Sequence, residues 1–109
     1  MKQTKTKSPV ILSIDGATKT GWAIYKNGEI IAHDTQKFKP ETREGQYSEW
    51  LENKIIQHNV THVVAEDIYQ DQDGRKDKAF QVLSGLQGVL KAECYRQGLP
   101  EPDFKKPYS

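Results

Sequence analysis

The chain has 109 residues, of which 35% are hydrophobic and 28% are charged, and its formal net charge at pH 7 is +1. This length supports one globular domain with a small core. The sequence has no apolar run of about 18 residues, which excludes a membrane-spanning helix, and its one cysteine, Cys94, excludes an internal disulfide and a zinc site built from cysteines.

The N-terminal residues are basic, and we expect them not to form a signal peptide. The apolar stretch that follows them is too short for a signal-peptide core and contains Asp15. We therefore expect a cytoplasmic protein that does not interact with a membrane. The predicted organisation is a basic tail at 1–9, one domain at 10–99 and a proline-rich tail at 100–109.

The first part of the domain is predicted to be a three-stranded antiparallel meander. Residues 10–15 are apolar and β-branched, and they predict a buried strand. After a turn rich in Gly and Thr, a second strand is predicted at 22–26. Asn27-Gly28 is typical of a two-residue hairpin turn, because both residues tolerate positive φ, and a third strand follows at 29–34.

The middle of the chain is predicted to be a helix followed by a strand. Apolar residues recur at helical spacing between 43 and 58, which predicts an amphipathic helix. Residues 60–66 then predict a fourth strand. A strand reached through a helix usually returns parallel to an earlier strand, so we expect it to lie beside the first.

A second helix is predicted at about 77–97, and Gly98 is expected to end it. Gly85 and Gly88 lie inside this helix, where each costs about 1 kcal/mol relative to Ala. They predict that another backbone approaches closely there. The following residues contain Pro100, Pro102 and Pro107, and we expect neither a strand nor a helix among them.

Two carboxylates are predicted to meet at one edge of the sheet. Asp15 ends the first strand and Glu66 ends the fourth, and parallel neighbours lie about 4.8 Å apart. Without a cation the two acids would repel each other, whereas Mg²⁺ prefers such oxygen ligands. Taken singly, Asp15 is also typical of a turn cap, and Glu66 is also typical of a partner for a nearby lysine.

The segment "ILSIDGATKTGWAIYKNGEII", together with "HVVAEDIY" that begins some fifty residues after its start, resembles RuvC-type Holliday junction resolvases of the RNase H-like superfamily. Asp15 and Thr20-Gly21-Trp22 match that family's first motif, and Glu66 matches its second acid. The resemblance implies an RNase H-like α/β fold: a three-stranded antiparallel meander, a helix, a strand parallel to the first, and a second helix.

The resemblance also implies an activity. It predicts an endonuclease that uses Mg²⁺, for which Mn²⁺ can substitute, to hydrolyse branched DNA as a homodimer, leaving 5′-phosphate and 3′-hydroxyl ends. Asp15 and Glu66 would be its catalytic and metal-binding residues. Tyr69 would stack on a base, a contact worth about 1–3 kcal/mol. Lys19, Arg75, Lys76 and Lys78 would contact phosphates, although scattered lysines are also typical of a solvated surface.

The sequence departs from the family after Pro100. The family site has further acids on a C-terminal helix that follows a fifth strand, and we expect neither element before Ser109. The chain is therefore expected to be a C-terminally incomplete copy. Two alternatives remain open: a catalytically silent module that binds DNA junctions or dimerises, and an actin-like fragment that binds ATP through residues 16–21.

Overall fold

The computed structural model describes residues 8–15, 19–66 and 78–105. These residues form a mixed sheet and two α-helices. The strands are β1 (Val10–Asp15), β2 (Lys19–Lys26), β3 (Glu29–Lys37), β4 (His62–Glu66) and β5 (Asp103–Lys105). The helices are α1 (Arg43–His58), preceded by one 3₁₀ turn at Pro40–Thr42, and α2 (Lys78–Arg96).

The sheet has the order β3-β2-β1-β4-β5. β1, β2 and β3 pair in antiparallel fashion, and β4 lies parallel to β1 on the other side. The predicted meander and the predicted parallel return through a helix are both confirmed. This order places β1 in the middle of the sheet, with its C-terminal end beside that of β4.

The β2–β3 hairpin is built on the predicted turn. Asn27 and Gly28 both adopt positive φ, 55° and 77°, which is the conformation that a two-residue hairpin turn needs. Both strands are longer than predicted, because β2 begins at Lys19 and β3 continues to Lys37. The extended ends of the hairpin reach beyond the end of β1, and this additional length matters for the site.

One hydrophobic core lies between one face of the sheet and the two helices. Alternate residues of β1 are buried, with Leu12 fully so, because successive side chains in a strand point to opposite faces. Leu51 of α1 and Leu90 of α2 are also almost completely buried in this core. The other face of the sheet, which carries Ser13 and Asp15, is called the outer face below.

The described part of the chain contains no helix with the length and apolar character needed to cross a membrane. α1 is capped at its C-terminal end by Asn59, which adopts the left-handed conformation and donates its N–H to the carbonyls of Ile55 and Ile56.

The expectation that no strand follows Pro100 is wrong. Residues 103–105 form β5, which pairs in parallel with β4 at the edge of the sheet. The two prolines before it do not prevent this pairing, since both lie outside the strand and β5 has only one hydrogen-bonding neighbour among the described strands. Phe104 also packs against the core.

The described residues bring no other backbone close to Gly85 or Gly88, so the prediction of a neighbouring backbone there stays a prediction. A Cβ added at Gly85 would lie 3.3 Å from a side-chain oxygen of Glu44 on α1. A Cβ at Gly88 would meet no described atom within 4 Å. The far end of the Glu44 side chain is flexible and can move aside, so the described residues do not require glycine at either position.

Candidate metal and nucleic-acid site

Asp15 and Glu66 are neighbours at the C-terminal ends of β1 and β4. The parallel register pairs Ile14 with Ala65, so the next residue on each strand is one of the two acids. Each acid follows a buried residue, and both are exposed. The alternation of strand side chains therefore places both carboxylates on the outer face of the sheet, at its edge. The structure thus brings together the two acids that the sequence analysis paired.

The two carboxylates interact directly. A side-chain hydrogen bond with Asp15, followed by desolvation and the negative charge of Asp15, raises the pKa of Glu66. A hydrogen bond between two carboxyl groups requires a proton on one of them, because ionised carboxylates only accept. The contact therefore makes the Glu66 carboxyl easier to protonate than an isolated one, as expected when a like charge lies beside it.

An open groove of about 290 Å³ surrounds the acid pair. Its walls are the ends of β1, β4 and β5: Ser13, Ile14, Asp15, Val64, Ala65, Glu66 and Lys105. Gly21 of β2 lies directly opposite Asp15, and a Cβ there would lie 3.9 Å from the Asp15 Cβ. Because glycine has no side chain, nothing from this position extends over the carboxylate on the β2 side.

Lys105 brings a positive charge to the groove. It is directly opposite Glu66 in the β4–β5 register, and its side chain is exposed. Sequence analysis missed this residue because it assigned 100–109 to a tail. The available signal was the apolar Phe104 between two polar residues, which is a short alternating pattern.

The donor set of the groove suits a hard cation. Two carboxylates on one edge provide oxygen ligands of the kind that Mg²⁺ and Mn²⁺ prefer. Within residues 8–15, 19–66 and 78–105, no cluster of three or more His, Cys, Asp or Glu side chains could hold a metal ion. The described residues therefore offer two protein ligands, and the remaining coordination positions would be open to water or substrate oxygens.

Of the residues predicted to contact DNA, the structure describes the side chain of Lys19 alone. It is exposed at the start of β2, on the same face as Asp15, because Gly21 is two residues further along the strand. Tyr69, Arg75 and Lys76 lie outside the described residues. Lys78 begins α2, but its side chain is also outside the description. The turn that the ATP-binding alternative requires includes 16–18, which lie outside it as well.

No protein-family model and no curated protein sequence matches the chain. Its structure is similar to that of Thermus thermophilus RuvC in complex with a Holliday junction substrate, with a TM-score of 0.73 and 15% sequence identity over 91% of this chain. A second structure of Thermus thermophilus RuvC gives a TM-score of 0.70 and 16% identity over 90% of this chain.

The chain therefore has a RuvC-like fold, and the predicted RNase H-like α/β class is confirmed. The match covers 65% of the first RuvC chain and 64% of the second. At this level of sequence identity the likeness concerns the fold, and the roles of Asp15 and Glu66 stay predictions.

Proposed function

We propose that this chain acts on branched DNA as a RuvC-like endonuclease that depends on a divalent metal ion, hydrolysing phosphodiester bonds to leave 5′-phosphate and 3′-hydroxyl ends. One observation carries the proposal. In a chain with a RuvC-like fold, Asp15 and Glu66 are in direct contact at the ends of two parallel strands. A RuvC of this fold has been solved with a Holliday junction substrate.

Asp15 and Glu66 would hold Mg²⁺, with Mn²⁺ as a substitute. The arrangement fits, because both acids are exposed and a cation between them would remove their mutual repulsion. A divalent ion bound there supplies Lewis-acid stabilisation of the phosphate charge and lowers the pKa of bound water. The two carboxylates would hold the ion in the groove, which has a volume of about 290 Å³ and is lined by the ends of β1, β4 and β5.

Lys105 would bind the substrate rather than the metal. Its ammonium group is positive and lines the same groove as the two acids, where it can donate hydrogen bonds to a phosphate oxygen as a flexible point charge. A lysine opposite Glu66 also limits the net negative charge of the groove. The approach of a DNA backbone to two carboxylates would otherwise be opposed by like-charge repulsion.

The remaining contacts of the proposal are those predicted from the sequence, and of these the structure describes the side chain of Lys19. We propose that a base stacks on Tyr69 and that four basic residues contact phosphates: Lys19, Arg75, Lys76 and Lys78. We also propose that the chain works as a homodimer, since a four-way junction presents two equivalent strands that two symmetric sites could engage.

The test compares a four-way junction with a linear duplex of the same sequence, in Mg²⁺ and in EDTA. Binding is measured by fluorescence anisotropy, and cutting is measured on end-labelled strands whose new termini are identified. The variants are Asp15→Asn and, as a matched control, Asp103→Asn, which removes an exposed carboxylate from β5 opposite Val64 rather than opposite Glu66.

We expect tighter binding to the junction than to the duplex and an affinity that falls steeply with salt. We also expect slow Mg²⁺-dependent cutting, since the described residues supply two acids as ligands, and we expect Asp15→Asn to abolish it and Asp103→Asn to retain it. Junction preference without cutting would reject the nuclease and identify a silent junction-binding module. Equal affinity for junction and duplex would reject branched DNA as the substrate. Cutting by Asp15→Asn at the wild-type rate would remove the acid pair from the chemistry.

A further inference from the structure

Two lysines face each other on the outer face of the sheet, close to the acid pair. Lys19 of β2 is directly opposite Lys37 of β3, and both are exposed. Lys19 is two residues before Gly21, which is opposite Asp15. With about 3.4 Å per residue, the lysine pair lies about 7 Å further along the strand direction than Asp15, on the same face.

This pairing is unfavourable for the isolated protein. Residues directly opposite each other in an antiparallel pair have Cβ atoms about 4.5–5.5 Å apart, and like charges in such a pair destabilise the sheet. Among the described residues, neither ammonium group takes part in an ion pair. The repulsion between Lys19 and Lys37 is therefore not relieved by a described acid.

The other end of the same hairpin, next to its turn, pairs two residues of opposite charge. There Lys26 of β2 is opposite Glu29 of β3, a pair of unlike charges that favours the hairpin. A lysine on an edge strand often prevents pairing with another chain, and this could explain Lys37. It does not explain Lys19, since β2 lies between β1 and β3.

We propose that Lys19 and Lys37 together bind one backbone phosphate of the nucleic acid, adjacent to the phosphate that lies over Asp15 and Glu66. A phosphate between the two ammonium groups converts their repulsion into two charge-assisted hydrogen bonds. The bound strand then crosses the edge of the sheet from β3 toward β5, passing the lysine pair, the acid pair and Lys105. This proposal rests on the proposed function for the identity of the ligand.

The experiment uses the full chain with Lys37→Gln, Lys19→Gln and the control Lys26→Gln. Chemical denaturation without DNA measures the repulsion. Lys37→Gln and Lys19→Gln should raise the free energy of unfolding, whereas Lys26→Gln should lower it slightly by removing the partner of Glu29. Binding of a four-way junction, measured over a range of salt concentrations, tests the contact. Loss of one phosphate contact should reduce the slope of log K against log salt by about one.

A second ligand separates this proposal from the proposed function. Inorganic tripolyphosphate should raise the melting temperature of the wild type and of Lys26→Gln more than that of Lys37→Gln. If the chain binds tripolyphosphate in this way but no DNA, the lysine pair is an anion site and the proposed function fails. The inference is overturned if the chain binds DNA and Lys37→Gln does not differ from Lys26→Gln in three measurements. These are the salt dependence of junction binding, the affinity for the junction and the free energy of unfolding.

Discussion

Replacing Glu66 with Gln removes one of the two carboxylates at the ends of β1 and β4 and keeps the size of the side chain. The fold should survive, since Glu66 is exposed and its main described interaction is with another acid. A glutamine amide can donate to Asp15 at any pH, so the hydrogen bond no longer needs a proton shared between two acids. We expect Glu66→Gln to bind Mn²⁺ more weakly than the wild type without loss of stability at neutral pH.

The expected loss of Mn²⁺ affinity in Glu66→Gln can be worked out from the charge of the carboxylate and its exposure to solvent. Two unit charges 4 Å apart interact by about 1 kcal/mol in water, so a divalent cation and one carboxylate at that separation interact by about 2 kcal/mol. The value for water applies because both acids are exposed. A loss of about 2 kcal/mol raises the Kd by about 30-fold. This is a lower bound, because a direct metal ligand lies nearer than 4 Å.

Calorimetric titration of Mn²⁺ into the metal-free chain measures this loss directly. Asp15→Asn should behave like Glu66→Gln, and Asp103→Asn controls for the removal of one negative charge from the same face of the sheet. Urea denaturation of each variant verifies the fold. Equal Mn²⁺ affinity in the wild type, Asp15→Asn and Glu66→Gln would refute the reasoning, because two exposed carboxylates that form the site cannot both be dispensable.

Three further predictions concern stability, and urea denaturation tests each of them. The contact with Asp15 raises the pKa of Glu66 above its ordinary value of 4.5, so the folded chain binds the Glu66 proton more tightly than the unfolded chain does. The contribution of this proton to stability is full below pH 4.5 and is lost as the pH rises through the raised pKa. The difference in free energy of unfolding between the wild type and Glu66→Gln should show this dependence. Gly88→Ala should stabilise the chain by about 1 kcal/mol. Gly85→Ala should stabilise it by less, because the added Cβ would lie 3.3 Å from Glu44. A loss of stability in Gly88→Ala would indicate a contact beyond those described. Leu12→Ala removes a fully buried side chain from the central strand and should cost about 2–5 kcal/mol, whereas a loss below about 1 kcal/mol would contradict the assignment of Leu12 to the core.

Local patterns in the sequence determined most of the secondary structure. The predicted bounds of the first strand, 10–15, and of the first helix, 43–58, agree with the structure. Alternation of apolar residues and helical spacing are properties of the chain itself, and Asn27-Gly28 carries its own preference for positive φ. The meeting of Asp15 and Glu66 also follows from the sequence, because a parallel return through a helix aligns the ends of the two strands.

The tertiary structure alone decided the rest of the candidate site. β5 has three residues, and its formation depends on the free edge of β4 and on the packing of Phe104 against the core. The alternation around Phe104 is a local signal, but three residues are too few to predict a strand or to place Lys105 opposite Glu66. The pairing of Lys19 with Lys37 likewise depends on a register that extends beyond the predicted strands, and cross-strand partners become visible only when the sheet is assembled.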